Sequence, residues 1–377
     1  MRLNLSLPAR VNILGNPTDG CEGDFATLSA AVEIRAHAVI EVADDFTFEQ
    51  AGADAAPAQT FSRRDLPMPL NGRHDLLKGA VNRLHSFSPE FREKVEKHGI
   101  RIRVWSDVPR QSGLGGSSLF VLLTLAGLRA LYGLDRLRHN DFLLAELTQR
   151  VECQDLGITG GYADRYVPLF GGLAYLDYRG KLQQKDIRHE PYVTYERLDG
   201  FAPDLPLVAV TTGVRHNSAE MHGRMRPRYL EEHASWQARR GQPPPMICFM
   251  TGAWETAWRG KIALLEGDLK TFGALMNENH RLVDAMMRYC GFEEGAGWAN
   301  NLFIESALQS GALGAKLTGA GGGGSVFALT EPGQEGQLMQ VWSKVAAKHE
   351  LKDALIYRLE IAHRGLVIQR EYSPSTI

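Results

Sequence analysis

Polar and apolar positions alternate cleanly along AVEIRAHAVIEV (31–42), and LNLSLPARVNIL (3–14) has a similar apolar density, so both segments predict strands. The period then changes. HDLLKGAVNRLHSF (74–87) reads as a helix, IRIRVWSDV (100–108) as a strand, and SSLFVLLTLAGLRALYGL (117–134) and DFLLAELTQRVECQDL (141–156) as helices. GGLAYLDY (171–178) closes this half as a strand. Residues 44–70, rich in Ala, Asp and Pro, predict a surface excursion, and the polar stretch 179–206 predicts a boundary. Beyond it, LPLVAVTT (205–212) is a strand, and 216–237 and 255–290 are helical, with the Gly-Gln-Pro-Pro-Pro run at 241–245 as a loop between helices. Helix, strand, helix, strand and strand follow to residue 377. The length exceeds what one core usually serves, so an α+β chain of two domains is expected, divided as 1–195 and 196–377.

Charge changes the picture little but excludes a good deal. The 42 basic and 44 acidic residues give a net charge of −2, which argues against a nucleic-acid or membrane-surface partner. Any anion must be held by a local site. Cys21, Cys153, Cys248 and Cys290 are far apart, which fits neither a disulfide scaffold nor a zinc site and suits a reducing, cytoplasmic setting. The first residues lack the apolar core of a signal peptide. The apolar helix 117–134 is interrupted by Thr124, Gly127 and Arg129, so it predicts a buried helix and not a membrane span.

The segment DVPRQSGLGGSSLFVLL (107–123) runs from a strand through a glycine-rich turn into that helix. Glycines let successive N–H groups converge on one side, and the helix start adds its own unpaired donors and positive dipole end. Pro109, Gly113, Leu114, Gly115, Gly116, Ser117 and Ser118 are therefore candidates to cradle a polyphosphate. A plain loop with a serine cap would leave the same residues behind. Neither a Walker A loop nor a dinucleotide glycine fingerprint is present.

PRQSGLGGSS (109–118) resembles the second motif of the GHMP kinases. PARVNILGNPTDG (8–20) resembles their first motif and KLTGAGGGGS (316–325) their third, in the same order along the chain. LGITGGYADR (156–165), GGLAYLD (171–177) and MHGRMRPRYL (221–230) are similar to segments of the glucuronokinases, with the galactokinases next. Leu119 and the Asn16-Pro17 pair depart from the usual family residues.

The resemblance implies an N-terminal α/β domain with a left-handed crossover, a ferredoxin-like C-terminal domain, and ATP and Mg2+ in the cleft between them. It implies that Asp164 faces the acceptor hydroxyl, with Arg10 supporting it, and that Glu152 and Ser117 hold magnesium. Asp19 and Asn16 would meet the substrate, joined by Gly319, Ala320, Gly321 and Gly322. Each has a plainer reading: turn residues for Asp164, Asp19 and Asn16, a solvated helix position for Glu152, a salt bridge for Arg10, and a flexible linker for the glycine run. His222, Arg224, Arg226 and Arg228 form a basic cluster that either faces the cleft or is solvated. The expected activity is a sugar 1-kinase, with glucuronic acid the first acceptor and galactose the second. A silent sugar-binding regulator and a mevalonate-pathway enzyme are the alternatives, and the oligomeric state is left open.

Overall fold

The computed structural model describes residues 1–21, 25–52, 55–181, 187, 190–214, 218–239, 241–319 and 321–371. One long strand organises the first sheet. β2 (Ala26–Ala43) pairs antiparallel with β1 (Arg2–Leu14) along most of its length. On its other side, residues 36–43 pair with β5 (Gly99–Ser106) and residues 26–30 with β6 (Leu173–Asp177). Ala36, Ala38 and Ile40 are buried while His37, Val39 and Glu41 lie outward, as a strand with one covered face requires. β1 shifts register between Pro8 and Ala9, the irregularity expected where proline offers no N–H to the ladder. After that shift, residues 8–14 are all buried.

The stretch 44–70 is not a simple excursion. It contains β3 (Phe46–Gln50), which runs parallel to β5, and β4 (Ala56–Phe61), which forms the sheet edge beyond it. The connection from β3 to β5 passes through β4, α1 (Asp75–Phe87) and a short α2 (Pro89–Val95). α3 (Gly116–Leu131) is buried on nearly every side, and among the described residues no helix is long and apolar enough to cross a membrane. α4 (Asp141–Arg150) ends in a π-helical turn, Val151–Asp155, where one continuous helix was expected. α5 (Ala163–Phe170) then leads to β6.

The second sheet is antiparallel in the order β11-β8-β10-β9. Its chain order is β8 (Leu207–Thr211), a helical block, β9 (Gly314–Leu317), β10 (Ser325–Leu329), α10 (Glu335–Lys348) and β11 (Leu355–Leu359). This β-α-β-β-α-β sequence is ferredoxin-like. The helical block comprises α6 (Ser218–Arg239), α7 (Pro245–Leu265), α8 (Leu269–Tyr289) and α9 (Trp298–Gln309). β9 is a strand that the periodicity does not reveal, because its four residues are all buried and show no alternation.

The 195/196 division falls inside β7 (Thr194–Arg197), which pairs with β6, and β12 (Val367–Glu371) returns to pair with β1 in the first sheet. The two lobes also share one apolar core: Leu264 of α7 and Phe272 and Met276 of α8 belong to the same buried cluster as Leu14, Leu28 and Val11.

Where the lobes meet, a fully buried lysine does the joining. Lys316 of β9 donates from Nζ to the Asn12 carbonyl (3.0 Å), the Asn16 side-chain oxygen (2.7 Å) and the Leu317 carbonyl (2.8 Å). Asn12 N–H donates to Thr318 Oγ1 (3.0 Å), and Asn279 of α8 donates to the Asn16 carbonyl (3.2 Å). Burial, and then the charge of Arg10, push the lysine well below its ordinary pKa. Lys316→Met keeps much of the volume but orphans buried acceptors, so unfolding free energy in urea should fall by about 2–4 kcal/mol. A loss below about 1 kcal/mol would mean that the acceptors find other donors.

Candidate active site

The glycine-rich turn between β5 and α3 forms one wall of a cavity of about 780 Å³. Pro109, Gly113, Leu114, Gly115, Gly116 and Ser117 all line it. Gly115 has a left-handed backbone (φ 82°), and a Cβ there would stand 3.3 Å from Asp164 Oδ1 and 3.6 Å from Arg10 Cγ. Glycine is thus required both by conformation and by the approach of the two side chains. Arg10, on β1, fastens the loop: its N–H donates to the Leu114 carbonyl (3.3 Å) and its Nη1 to the Gly113 carbonyl (2.6 Å). Its Nη2 pairs with Asp164 Oδ1.

Asp164 stands in the first turn of α5, with its carboxylate only 13% exposed. Asp19 fixes the start of that helix, accepting from Ala163 N–H at Oδ2 (3.2 Å) and from Tyr162 N–H at its carbonyl (3.2 Å). Gly161 leaves room for this contact, since a Cβ there would lie 1.9 Å from Asp19 Oδ2. Arg165 Nη1 is 4.0 Å from Asp164 Oδ2, so an arginine flanks each oxygen.

Glu152 is not a solvated helix residue; it is 1% exposed and sits in the π-helical turn. The widened turn directs it toward the start of α3, where Ser117 Oγ donates to its Oε1 (2.8 Å) and Ser118 Oγ to its Oε2 (2.7 Å). Arg165 completes the set, with Nε 2.9 Å and Nη2 2.7 Å from Oε2. Sequence reading missed Arg165; its place beside Asp164 in the YADR segment was the available signal.

Ser117 and Glu152 are adjacent hard oxygen donors that both reach the cavity, so they suit a magnesium ion. No group of three or more His, Cys, Asp or Glu able to hold a metal occurs among the described residues. That is compatible with magnesium, which takes few protein ligands when phosphates and water supply the rest.

Several expected contacts fall elsewhere. Ser118 is buried behind the cavity wall and is spent on Glu152. Asn16 is 1% exposed, its side-chain oxygen taken by Lys316 and its amide donating to the Gly319 carbonyl (3.4 Å), so it ties the lobes together. Asp19 lies next to the cavity without lining it. Of the glycine run, Gly319 reaches the cavity and packs on Gly113, a Cβ on Gly319 falling 3.1 Å from the Gly113 Cα. Gly321 and Gly322 pack on Ala296 instead, the Gly322 N–H donating to its carbonyl (2.8 Å), and Ala320 lies outside the described residues.

The basic cluster is split by helical geometry. Arg224 pairs with Glu220 and the Phe292 ring, and Arg228 with Glu232 and the Tyr289 ring, both on the outer side of α6. His222 lines the cavity.

A glycine-rich loop facing an arginine-flanked carboxylate, in a cleft between an α/β lobe and a ferredoxin-like lobe, is an arrangement suited to phosphoryl transfer. The sequence pattern of the GHMP kinases N-terminal domain matches residues 75–172, and that of the GHMP kinases C-terminal domain matches residues 261–348. The chain belongs to the GHMP kinase family. It is 30% identical to a galactokinase of Thermococcus kodakarensis over 343 residues, 87% of this chain and 89% of that one. It is 28% identical to a probable glucuronokinase 2 of Arabidopsis thaliana over 341 residues, 86% and 84% of the two chains. Mevalonate kinases from Pyrococcus and Thermococcus species match as well. Among solved structures, Lactococcus lactis galactokinase complexed with galactose superposes with a TM-score of 0.74 at 18% identity, covering 97% of this chain and 95% of that one.

Burial first, and then the neighbouring Asp164 charge, raise the Asp19 pKa from 3.8 to about 6, against the opposing pull of Arg10, the Ala163 N–H and Arg165. The folded protein therefore holds this proton to higher pH than the unfolded chain does. The stability it contributes is complete below about pH 4 and is lost as pH rises through about 6, by about 3 kcal/mol. Asp19→Asn should remove that decline, so its stability relative to the parent should rise across this window in urea titrations. Parallel pH profiles would refute the assignment.

Proposed function

We propose that this protein is an ATP-dependent sugar kinase acting at an anomeric hydroxyl, with glucuronic acid the first candidate acceptor and galactose the second. The observation that carries the reading is the Arg10–Asp164 pair standing against the phosphate loop in one cavity. Backbone donors of residues 113–117 and the start of α3 would hold the ATP phosphates. Asp164 would orient the acceptor hydroxyl and accept its proton as the oxygen attacks the γ-phosphorus in line with the departing ADP oxygen. Arg10 pairs with that carboxylate and places positive charge beside the transferring group. Magnesium, held by Ser117 and Glu152, would supply charge neutralisation on the phosphates.

The intact Arg10–Asp164 and Ser117–Glu152 pairs favour a working enzyme over a silent regulator. The glucuronokinase and galactokinase relatives favour a sugar, as do the LGITGGYADR and GGLAYLD segments. Arg224 and Arg228 are turned outward, and His222 is the member of the basic cluster that lines the cavity. The mevalonate kinase relatives support a second reading, in which the acceptor is mevalonate.

Asp164→Asn should keep the fold and ATP binding while kcat falls by about a hundredfold or more. A folded variant with near-parental kcat would remove Asp164 from the reaction. A carboxylate acceptor met by charged hydrogen bonds should be preferred over its neutral analogue by about tenfold or more in kcat/KM. The measurement compares glucuronic acid, galactose, glucose and mevalonate, with the product position read by phosphorus NMR. Preference for a neutral sugar would overturn the uronate assignment, phosphate at another hydroxyl the 1-kinase assignment, and turnover of mevalonate alone the sugar assignment.

A further inference from the structure

Three sides of the cavity are accounted for by the phosphate loop, by Asp164 and by the Glu152 group. From α6 of the second lobe, His222 also lines it. Met221, Met225 and Tyr229, spaced along one face of that helix, are buried in a cluster with Met246, Met250 and Met287 of α7 and α8. This packing fixes the rotation of α6 and leaves position 222 on the cavity side. There the His222 ring stands close to the turn that carries Asp19: a Cβ on Gly20 would lie 3.9 Å from both its Cε1 and Nδ1.

His222 Nδ1 is buried and has no hydrogen-bond partner among the described residues. An imidazole nitrogen so placed loses water without compensation, which costs free energy unless a ligand completes it. Arg10, Glu152, Asp164 and Arg165 are already engaged with one another. Burial, and then the Arg165, Arg10 and Arg226 charges, hold the imidazole pKa down at about 4, against the opposing pull of Asp164. The ring is therefore neutral near pH 7 and presents one donor and one acceptor. That is the complement of a hydroxyl, which also donates and accepts, and a poor partner for a carboxylate, which only accepts.

We infer that His222 is the residue with which the second lobe reads the acceptor, through a hydrogen bond from its imidazole to a non-reacting hydroxyl. The inference deepens the sugar-kinase reading and rests on it for the identity of the acceptor. The reacting hydroxyl belongs to Asp164, so His222 discriminates among acceptors without taking part in proton transfer. It also makes acceptor binding depend on how α6 sits over the first lobe.

The test uses the full-length protein with His222→Phe, which keeps a flat ring without nitrogens, and His222→Asn, which restores a polar atom near the Nδ1 position. His222→Phe should raise KM for the acceptor by about tenfold or more, the equivalent of about 1.4 kcal/mol, and leave KM for ATP within about twofold. His222→Asn should recover most of that loss. A panel of monodeoxy acceptors identifies the partner: the hydroxyl read by His222 is the one whose removal weakens the parent but costs the Phe variant nothing further.

Unchanged acceptor KM in a folded His222→Phe protein would overturn the inference, as would equal losses on every deoxy analogue in parent and variant. If mevalonate proves to be the acceptor, the sugar reading fails on that result alone. The same two variants then decide the His222 inference through the mevalonate KM.

Discussion

A lysine without a carboxylate organises the junction on which the cavity depends. Taking an amine out of water is costly unless dipoles replace the lost hydration, and Lys316 meets three carbonyl-type oxygens. Those oxygens come from β1, from the turn that follows it, and from β9 itself. Satisfying the lysine therefore sets the second lobe's glycine loop at a fixed height over the first lobe's glycine-rich loop, where Gly319 rests on Gly113. Because the acceptors are also structural groups, the junction cannot loosen without exposing unpaired polar atoms. The shared apolar core beneath it works in the same direction.

Above that junction, the cavity floor is a run of alternating charges. Arg10, Asp164, Arg165 and Glu152 follow one another, each carboxylate meeting a guanidinium. Buried ions persist only when paired and hydrogen-bonded, so the alternation fixes side-chain positions before any ligand arrives. Asp19 shows what happens beside it. It gains a backbone N–H but remains close to Asp164, and its carboxyl holds a proton more tightly than an ordinary aspartate. Two neighbouring aspartates thus differ, one paired with Arg10 and facing the cavity, the other supporting the helix that presents it.

Much of this was legible in the sequence wherever periodicity or glycine chemistry leaves a mark. β1, β2, β5, β6 and β8, and the helices around them, follow from the alternation of residues such as Ala36, Ala38 and Ile40. β4 was hidden because it lies at the sheet edge in an alanine- and proline-rich segment, β3 because it is only five residues long beside that segment, and β9 because complete burial removes alternation. The loop at 109–117 and Asp164 announce themselves through glycines. Arg165 does not, because it acts on Glu152 through a π-helical turn that no periodicity reveals, and Lys316 and His222 do not, since their importance comes from groups far away in the chain. Ser118 and Asn16 mislead for the same reason: each sits in a conspicuous motif, yet distant groups consume its polar atoms. Helical geometry alone separates His222 from Arg224 and Arg228, although all three look alike in a linear reading.

The return of β12 to the edge of β1 has a consequence for how the molecule is made. Asn4 bonds Glu371 across 367 positions, so the sheet that carries Arg10 gains an edge strand from residues synthesised after the whole of the second sheet. During synthesis β1 must wait with one edge unpaired, and an open strand edge invites pairing with other chains. In the second sheet β8 also waits for β10 and β11, but all of its strands are made before β12, and β9 and β10 are near neighbours. Nascent chains stalled before residue 367 would therefore hold a nearly complete second lobe beside a first lobe still open to chaperones and to its own copies.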